Sequence, residues 1–107
     1  MTKASAVYDR ETGEAALTLT GHATGSEKVC AAISAIAFSL AGYLANDPET
    51  EVLDCDTEPG HMLLRWRGGP EAMTALRMAC IGLMQIELAE PEKIRTYFPE
   101  KIFKIGA

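Results

Sequence analysis

The sequence lacks an excess of positive charge. Ten Lys and Arg residues stand against 15 Asp and Glu residues, which gives a formal net charge of −5 at pH 7. Proteins that bind nucleic acids through the phosphate backbone usually concentrate basic residues on one face. The charge balance therefore disfavours direct nucleic-acid binding.

Cysteine is too scarce and too dispersed for a disulfide scaffold. Cys30, Cys55 and Cys80 lie in three separate segments without CxxC spacing, and an odd number of thiols cannot all pair within one chain. A zinc site needs three or four convergent ligands, and no clustered His and Cys spacing of that kind is present. We therefore expect no disulfide framework, no metal and no cofactor.

Long hydrophobic runs are also missing. The longest apolar run, from Val29 to Leu44, is interrupted by Ser34 and Ser39 and is shorter than the roughly 20 residues that a membrane-spanning helix needs. The first residues of the chain lack the apolar stretch of a secretory signal. These absences predict a cytoplasmic protein without a membrane partner, in a reducing environment where a lone thiol stays available.

The chain is long enough for one domain over residues 1–107, with a single two-layer core. Residues 4–9 and 14–22 flank a polar stretch that contains glycine, which predicts an antiparallel hairpin. A second hairpin is predicted from residues 52–57 and 61–67, which flank a Pro-Gly turn.

Two long helices complete the predicted element order. The first begins after Ser26, a suitable N-cap, and extends to about residue 46; the second covers about residues 71–88. Pro91 and Pro99 then punctuate a short tail. The β-β-α-β-β-α order predicts an α+β domain in which a four-stranded antiparallel sheet is packed by two long helices.

The first helix is apolar almost all round. After Lys28 no charged residue appears until Asp47. Such a helix has to be covered on more than one side, by the sheet and by a second helix or another subunit, so we expect a homodimer. One apolar stripe of this helix consists of Val29, Ile33, Ile36, Leu40 and Tyr43, and a neighbouring stripe of small residues consists of Cys30, Ser34, Ala37 and Ala41.

His22 and Cys30 form the most reactive pair that the predicted elements bring near each other. His22 follows a strand and Cys30 lies near the start of a helix, with seven residues between them. A helix N-terminus favours the thiolate, which is the nucleophilic form of cysteine, and a neighbouring imidazole can accept the proton. Free N–H groups at the helix start could bind the oxyanion that forms when the thiolate attacks a peptide carbonyl.

Residue types and spacing alone leave another interpretation open. Cysteine is often buried as a small hydrophobic residue, and Cys30 lies in an alanine-rich helix. The same interpretation suits Cys55 and Cys80, which stand in patterns typical of a core. His61 opens a strand after a turn and is interpreted as a surface residue.

Two segments resemble the signature of a known family. Gly21-His22-Ala23, followed by Val29-Cys30-Ala31-Ala32-Ile33-Ser34, is similar to the motifs of the ribosomal-processing cysteine protease family, Prp. The element order and the stretch from Gly82 to Ile86 are similar as well. The resemblance implies a homodimeric cysteine endopeptidase that removes the N-terminal extension of a large-subunit ribosomal protein.

The resemblance also implies roles for single residues. Cys30 would be the nucleophile and His22 the general base. Ser34 matches the family's serine one helical turn after the cysteine, and Gly21 and Ala31 belong to the two motifs as supporting residues.

The sequence departs from the family pattern in the connection between the two motifs. Glu27 stands where family members usually have Asp, so it keeps a carboxylate with a longer reach. The loop from Ala23 to Lys28 is shorter than is usual in the family, where this loop is thought to select the substrate. The resemblance therefore leaves two expected substrates: a ribosomal protein precursor or, as in prophage-type relatives, a capsid or scaffold protein.

Two further functions compete with the protease. A binding module on the same fold would recognise such a protein without cutting it, which the short loop would favour. A structural dimerisation protein would explain the apolar first helix.

Overall fold

The computed structural model describes residues 1–103, so the last four residues of the predicted domain lie outside the described range. The strands are β1 (Thr2–Asp9), β2 (Glu14–Thr20), β3 (Glu51–Glu58), β4 (His61–Arg67) and β5 (Ile94–Tyr97). The helices are α1 (Glu27–Asn46), α2 (Pro70–Ala89) and a 3-10 turn, Glu100–Ile102.

The five strands form one sheet in the order β3-β4-β2-β1-β5. β1 and β2 pair as an antiparallel hairpin, β3 and β4 pair as another, and β2 joins the two hairpins by antiparallel pairing with β4. The predicted α+β class, with two long helices on a largely antiparallel sheet, is confirmed.

The structure adds a fifth strand in the segment that the sequence indicated as a tail. β5 is four residues long and pairs in parallel with β1. Only Ile94 of this strand is fully buried, so the segment shows too little alternation to be recognised as a strand.

A single core lies between one face of the sheet and the two helices. Leu17 and Leu19 on β2 point into it, as their alternation with threonine predicts. The largest side chains with almost no exposed surface are Trp66, Leu17, Leu44, Leu64, Leu76, Leu83, Ile94, Ile102 and Cys80.

α1 begins as predicted but presents a slightly different face to the core. The Ser26 hydroxyl accepts a hydrogen bond from the N–H of Val29 at 3.2 Å, which confirms it as the N-cap. Tyr43, at the end of the predicted apolar stripe, is 43% exposed. The buried residues of α1 are Val29, Ile33, Ala37, Leu40 and Leu44.

The buried residues of α1 differ from the apolar stripe seen in the sequence because the helix packs against two neighbours, the sheet and α2. Ile36 lies against α2, where a Cβ on Gly82 would be 2.9 Å from the Ile36 Cδ1 atom. The small Ala37 takes the position that faces the sheet.

By length and composition alone, both 20-residue helices are apolar enough to cross a membrane. The shorter apolar run that the sequence indicated therefore does not exclude a membrane span for α1. Both helices pack one face into the common core with the sheet, and core helices pass the same test of length and composition.

Candidate active site

Gly21 places His22 just beyond the end of β2. The Gly21 N–H donates to the carbonyl oxygen of Gly60 at 2.8 Å, and the hydroxyl of Thr2 donates to the Gly21 carbonyl at 3.4 Å. Gly21 has a φ of +84°, and a Cβ on it would overlap the carbonyl oxygen of Met1. Only glycine fits this position, which agrees with its place in the predicted motif.

The ring of His22 lies against the turn between β3 and β4. A Cβ built on Gly60 of this turn would be 2.6 Å from the His22 Nε2 atom. His22 itself is an exposed residue. The imidazole is thus open to solvent on one side and backed by the bare backbone of Gly60 on the other.

The chain from Ala23 to Ser26 forms a tight turn. The Ser26 N–H donates to the carbonyl of Ala23 at 3.1 Å, and Gly25 adopts a φ of +86°, as the third residue of such a turn often does. The ammonium group of Lys93 donates to the carbonyl of Thr24 at 2.6 Å. The short loop is therefore held by its own backbone and by a side chain next to β5.

Cys30 is the fourth residue of α1 and is half-buried. Its N–H donates to the carbonyl of Ser26 at 3.2 Å, and its Sγ donates to the carbonyl of Ala23 at 3.6 Å. The sulfur thus touches the residue that directly follows His22.

His22 and Cys30 line the same cleft, which has a volume of about 250 Å³ and lies where β2 ends and α1 begins. Within residues 1–103 no hydrogen bond joins the imidazole to the sulfur, and the thiol donates to the Ala23 carbonyl instead. The structure therefore brings the predicted pair to one solvent-accessible surface without a direct bond between them.

The first turn of α1 offers two backbone donors. The N–H groups of Val29 and Cys30 are both bonded to Ser26. In the described part of the chain, the N–H groups of Glu27 and Lys28 have no acceptor. These two groups are the ones that remain free to meet an anion at the helix N-terminus.

The remaining predicted supporting residues divide into two groups. Ser34 is exposed and lines the cleft one helical turn after Cys30. Glu27 and Ala31 are exposed but are not among the residues that line the cleft. No hydrogen bond between the Glu27 carboxylate and His22 is found in residues 1–103.

The turn between β3 and β4 is the part of the cleft that sequence reasoning missed. Residues 57–62 line one wall, opposite Cys30 and Phe38 of α1. His61 is exposed, as predicted, but it also lines this wall. The Pro-Gly turn was recognisable from the sequence; its approach to His22 depends on the pairing of Thr20 with His61 across distant segments.

The other two cysteines differ from each other. Cys80 is fully buried, as predicted, and burial raises the pKa of its thiol to about 12. Cys55 is exposed, so its interpretation as a core residue is wrong. It lies on β3, an edge strand of the sheet. Among the described residues, no group of three or more His, Cys, Asp and Glu side chains is arranged to hold a metal ion.

Comparisons with known proteins connect this arrangement to a fold. No family model matches the chain, and no curated protein matches it. It is similar to a crystal structure of the essential ribosomal processing protease Prp from S. aureus with a covalently linked product peptide, at 24% identity and a TM-score of 0.79, over 92% of this chain and 100% of that chain.

Two other solved structures give the same result. Prp from S. aureus in complex with a substrate peptide is 23% identical with a TM-score of 0.72, over 92% of this chain and 100% of that chain. A protein from Streptococcus mutans is 21% identical with a TM-score of 0.70, over 92% of this chain and 93% of that chain. The chain therefore has the fold of the ribosomal processing protease Prp.

Proposed function

We propose that this chain is a cysteine endopeptidase of the Prp family, with Cys30 as nucleophile and His22 as general base and general acid. The observation that carries the proposal is the shared cleft, into which the strand-end imidazole and the helix-start thiol both open. The fold adds support, because Prp from S. aureus has been solved with a covalently linked product peptide.

The proposed reaction is acyl transfer in two stages. His22 takes the thiol proton, and the Cys30 sulfur adds to the carbonyl carbon of the scissile peptide bond. The tetrahedral intermediate collapses as the C–N bond breaks and His22 returns the proton to the leaving amine. Water, deprotonated by His22, then attacks the thioester and releases the carboxylate product and the free thiol.

One contact has to change before the first stage. The thiol hydrogen now bonded to the Ala23 carbonyl must be transferred to the imidazole of His22. An S–H group is a weak donor, so this exchange gives up little stabilisation. The first stage therefore requires the Cys30 side chain to leave the Ala23 carbonyl and turn toward the cleft that it shares with His22.

We propose that the first turn of α1 supplies donors for the oxyanion. The free N–H groups of Glu27 and Lys28 begin the helix that carries the nucleophile. Hydrogen-bond donors directed at the charge that develops in the transition state are among the largest contributions to catalysis. The hydroxyl of Ser34 in the cleft wall is a third donor and supports the site.

The proposed substrate is an extended peptide segment between α1 and the β3–β4 turn. We assign it to the N-terminal extension of a large-subunit ribosomal protein precursor, in line with the named activity of the S. aureus protein of the same fold. A capsid or scaffold protein is the alternative substrate. The chemistry at Cys30 would be the same for both.

The cleavage assay tests the enzyme directly. Purified protein is incubated with ribosomal and capsid precursor proteins, and products are identified by mass spectrometry. We expect a product whose formation is abolished in Cys30→Ala and His22→Ala and retained in Cys55→Ala, which changes a thiol outside the cleft. Cleavage by Cys30→Ala, or none by the wild type, would leave the binding module as the better function.

A homodimer is proposed through the outer face of the helix layer. Six large apolar side chains of α1 and α2 are at least 38% exposed there, and a groove of about 450 Å³ runs between the two helices. Exposed apolar patches of this kind mark protein interfaces. The residues are Phe38, Tyr43, Met78, Ile81, Met84 and Leu88.

We also place the protein in the cytoplasm. All three cysteines are free in the structure, and Cys30 and Cys55 are accessible to solvent. A reducing compartment keeps such thiols from oxidation, which the proposed nucleophile requires.

A further inference from the structure

The edge of the His22 ring occupies the space where residue 60 would carry a side chain. A Cβ on Gly60 would be 2.6 Å from Nε2, 3.2 Å from Cδ2 and 3.3 Å from Cε1 of that ring. Cβ atoms in proteins almost never lie within 3.0 Å of a heavy atom to which they are not bonded. The ring and a side chain at position 60 therefore exclude each other.

The turn cannot simply move away from the ring, because it is tied to the chain on both sides of the contact. The carbonyl of Gly60 accepts the hydrogen bond from Gly21, the residue before His22. The next residue, His61, is paired with Thr20 in the ladder between β2 and β4. A group added at position 60 would therefore push the ring rather than the turn.

We propose that Gly60 is a positioning residue for His22: its missing side chain leaves room for the imidazole against the β3–β4 turn, in the cleft that Cys30 shares. This inference rests on the proposed function for its catalytic consequence. The contact itself stands on geometry alone.

Gly60 has a second reason to be glycine, and the experiment has to separate the two. Its φ is +76°, which strains any residue with a Cβ. Gly13, in the turn between β1 and β2, has a φ of +73°. A Cβ there would meet the carbonyl of Gly68 at 3.3 Å and the Arg67 side chain at 3.8 Å.

Gly13 is thus a matched control at the opposite end of the sheet. It precedes Glu14, which pairs with Arg67, whereas Gly60 precedes His61, which pairs with Thr20. The two ends of β2 are about 20 Å apart at the usual rise per residue of a strand. Gly13→Ala carries the backbone strain without the contact with the imidazole.

The first measurement is the NMR spectrum of the histidine rings, with His22 assigned by its absence in His22→Ala. The other histidine of the chain, His61, directly follows Gly60, so its resonances are assigned separately by their absence in His61→Ala. We expect the chemical shifts of the His22 ring to change in Gly60→Ala and to stay in place in Gly13→Ala. Gly60→Asn, which tolerates positive φ better, should resemble Gly60→Ala. Unmoved His22 resonances in folded Gly60→Ala and Gly60→Asn would overturn the proposal.

The second measurement is the kinetics of precursor cleavage. We expect kcat to fall at least about 10-fold in Gly60→Ala, because a displaced imidazole loses part of the rate acceleration that general acid–base catalysis provides. The change in KM should be smaller. Gly13→Ala should stay within about twofold of the wild type, since its strain lies far from the cleft. Equal kcat losses in the two variants would overturn the positioning role. If the wild type cleaves nothing, the proposed function fails while the NMR result still decides whether Gly60 seats His22.

Discussion

The thiol of Cys30 is hydrogen-bonded to the carbonyl of Ala23, at 3.6 Å, and not to the imidazole of His22. The same carbonyl accepts the N–H of Ser26 at 3.1 Å, so one backbone oxygen joins the loop, the helix cap and the sulfur. The Cys30 sulfur is thereby held against the residue that directly follows His22.

Thiol labelling tests whether Cys30 is activated. Since Cys55 is exposed and would react as well, the measurement is made in a Cys55→Ser background. We expect iodoacetamide to modify Cys30 rapidly and Cys80 only after unfolding, because Cys80 is fully buried. His22→Ala should slow the modification of Cys30 at least about 10-fold if the imidazole takes the thiol proton.

The contrary result would favour a structural protein. In that case the labelling rate of Cys30 would not exceed the labelling rate of Cys55 in the wild type. His22→Ala would leave both labelling rates unchanged. Peptide mapping of the alkylated thiols distinguishes the two outcomes.

Cys80 should make stability depend on alkaline pH. Burial raises the pKa of its thiol from 9.0 to about 12, so the folded state favours the protonated form. A raised pKa contributes stability that is complete below pH 9 and is lost as pH rises toward 12. The stability of the wild type relative to Cys80→Ala should therefore be constant from pH 7 to 9 and fall by about 2 kcal/mol at pH 10.5.

Urea denaturation of the two proteins at each pH measures this difference in the free energy of unfolding. Lysine and tyrosine residues titrate in the same range but occur in both proteins, so their effect cancels. A difference that stays constant up to pH 10.5 would show that the Cys80 thiol ionises equally in the folded and unfolded states.

Lys93 should stabilise the loop that carries the site. Its ammonium group donates to the carbonyl of Thr24, and Lys93→Met keeps the aliphatic stem while it removes this bond. We expect a loss of about 1 kcal/mol in the free energy of unfolding, the usual value for a hydrogen bond. Lys3→Met is the control, because Lys3 is exposed and its ammonium group has no hydrogen-bond partner in the described part of the chain.

Equal stability of Lys93→Met and Lys3→Met would show that the bond to Thr24 does not hold the loop. A loosened loop should also expose its backbone, so amide hydrogen exchange from Thr24 to Ser26 should accelerate in Lys93→Met alone.

The outer helix face should carry the homodimer. Met78 is 76% exposed and lies on that face, and Met78→Glu places a charge in the proposed interface. Val7 is 62% exposed on the sheet face that no helix covers, so Val7→Glu is a control of similar exposure. Light scattering after size-exclusion chromatography should show a dimeric wild type, a dimeric Val7→Glu and a monomeric Met78→Glu.

A monomeric wild type, or a dimer disrupted by Val7→Glu and not by Met78→Glu, would contradict this interface. The second result would indicate that the dimer interface lies on the open face of the sheet instead.

Local signals in the sequence predicted most of the fold. The two hairpins and two helices were predicted to within about three residues at each end, because alternation, capping and turn residues act over short distances. β5 was not predicted because it has only four residues and forms by parallel pairing with β1, which local sequence patterns do not reveal. The position of Tyr43 depends on where α2 lies, which is equally non-local.

Some residues of the candidate site could also be predicted from local sequence, and others could not. His22 and Cys30 were identifiable because eight positions of sequence separate them and a turn can bring them together. Gly60 is nearly forty positions from His22 and meets it only through the pairing of β2 with β4. Cys55 was misplaced because nothing in its own segment shows that β3 is an edge strand.

The beginning of the chain has a practical consequence for anyone who handles this protein. Thr2 is buried and lines the cleft, and the carbonyl of Met1 lies against Gly21. A purification tag attached ahead of Met1 would therefore begin near Gly21, at the border of the cleft where we propose that the peptide binds. Assays of cleavage should therefore use protein whose first residue is free of such additions.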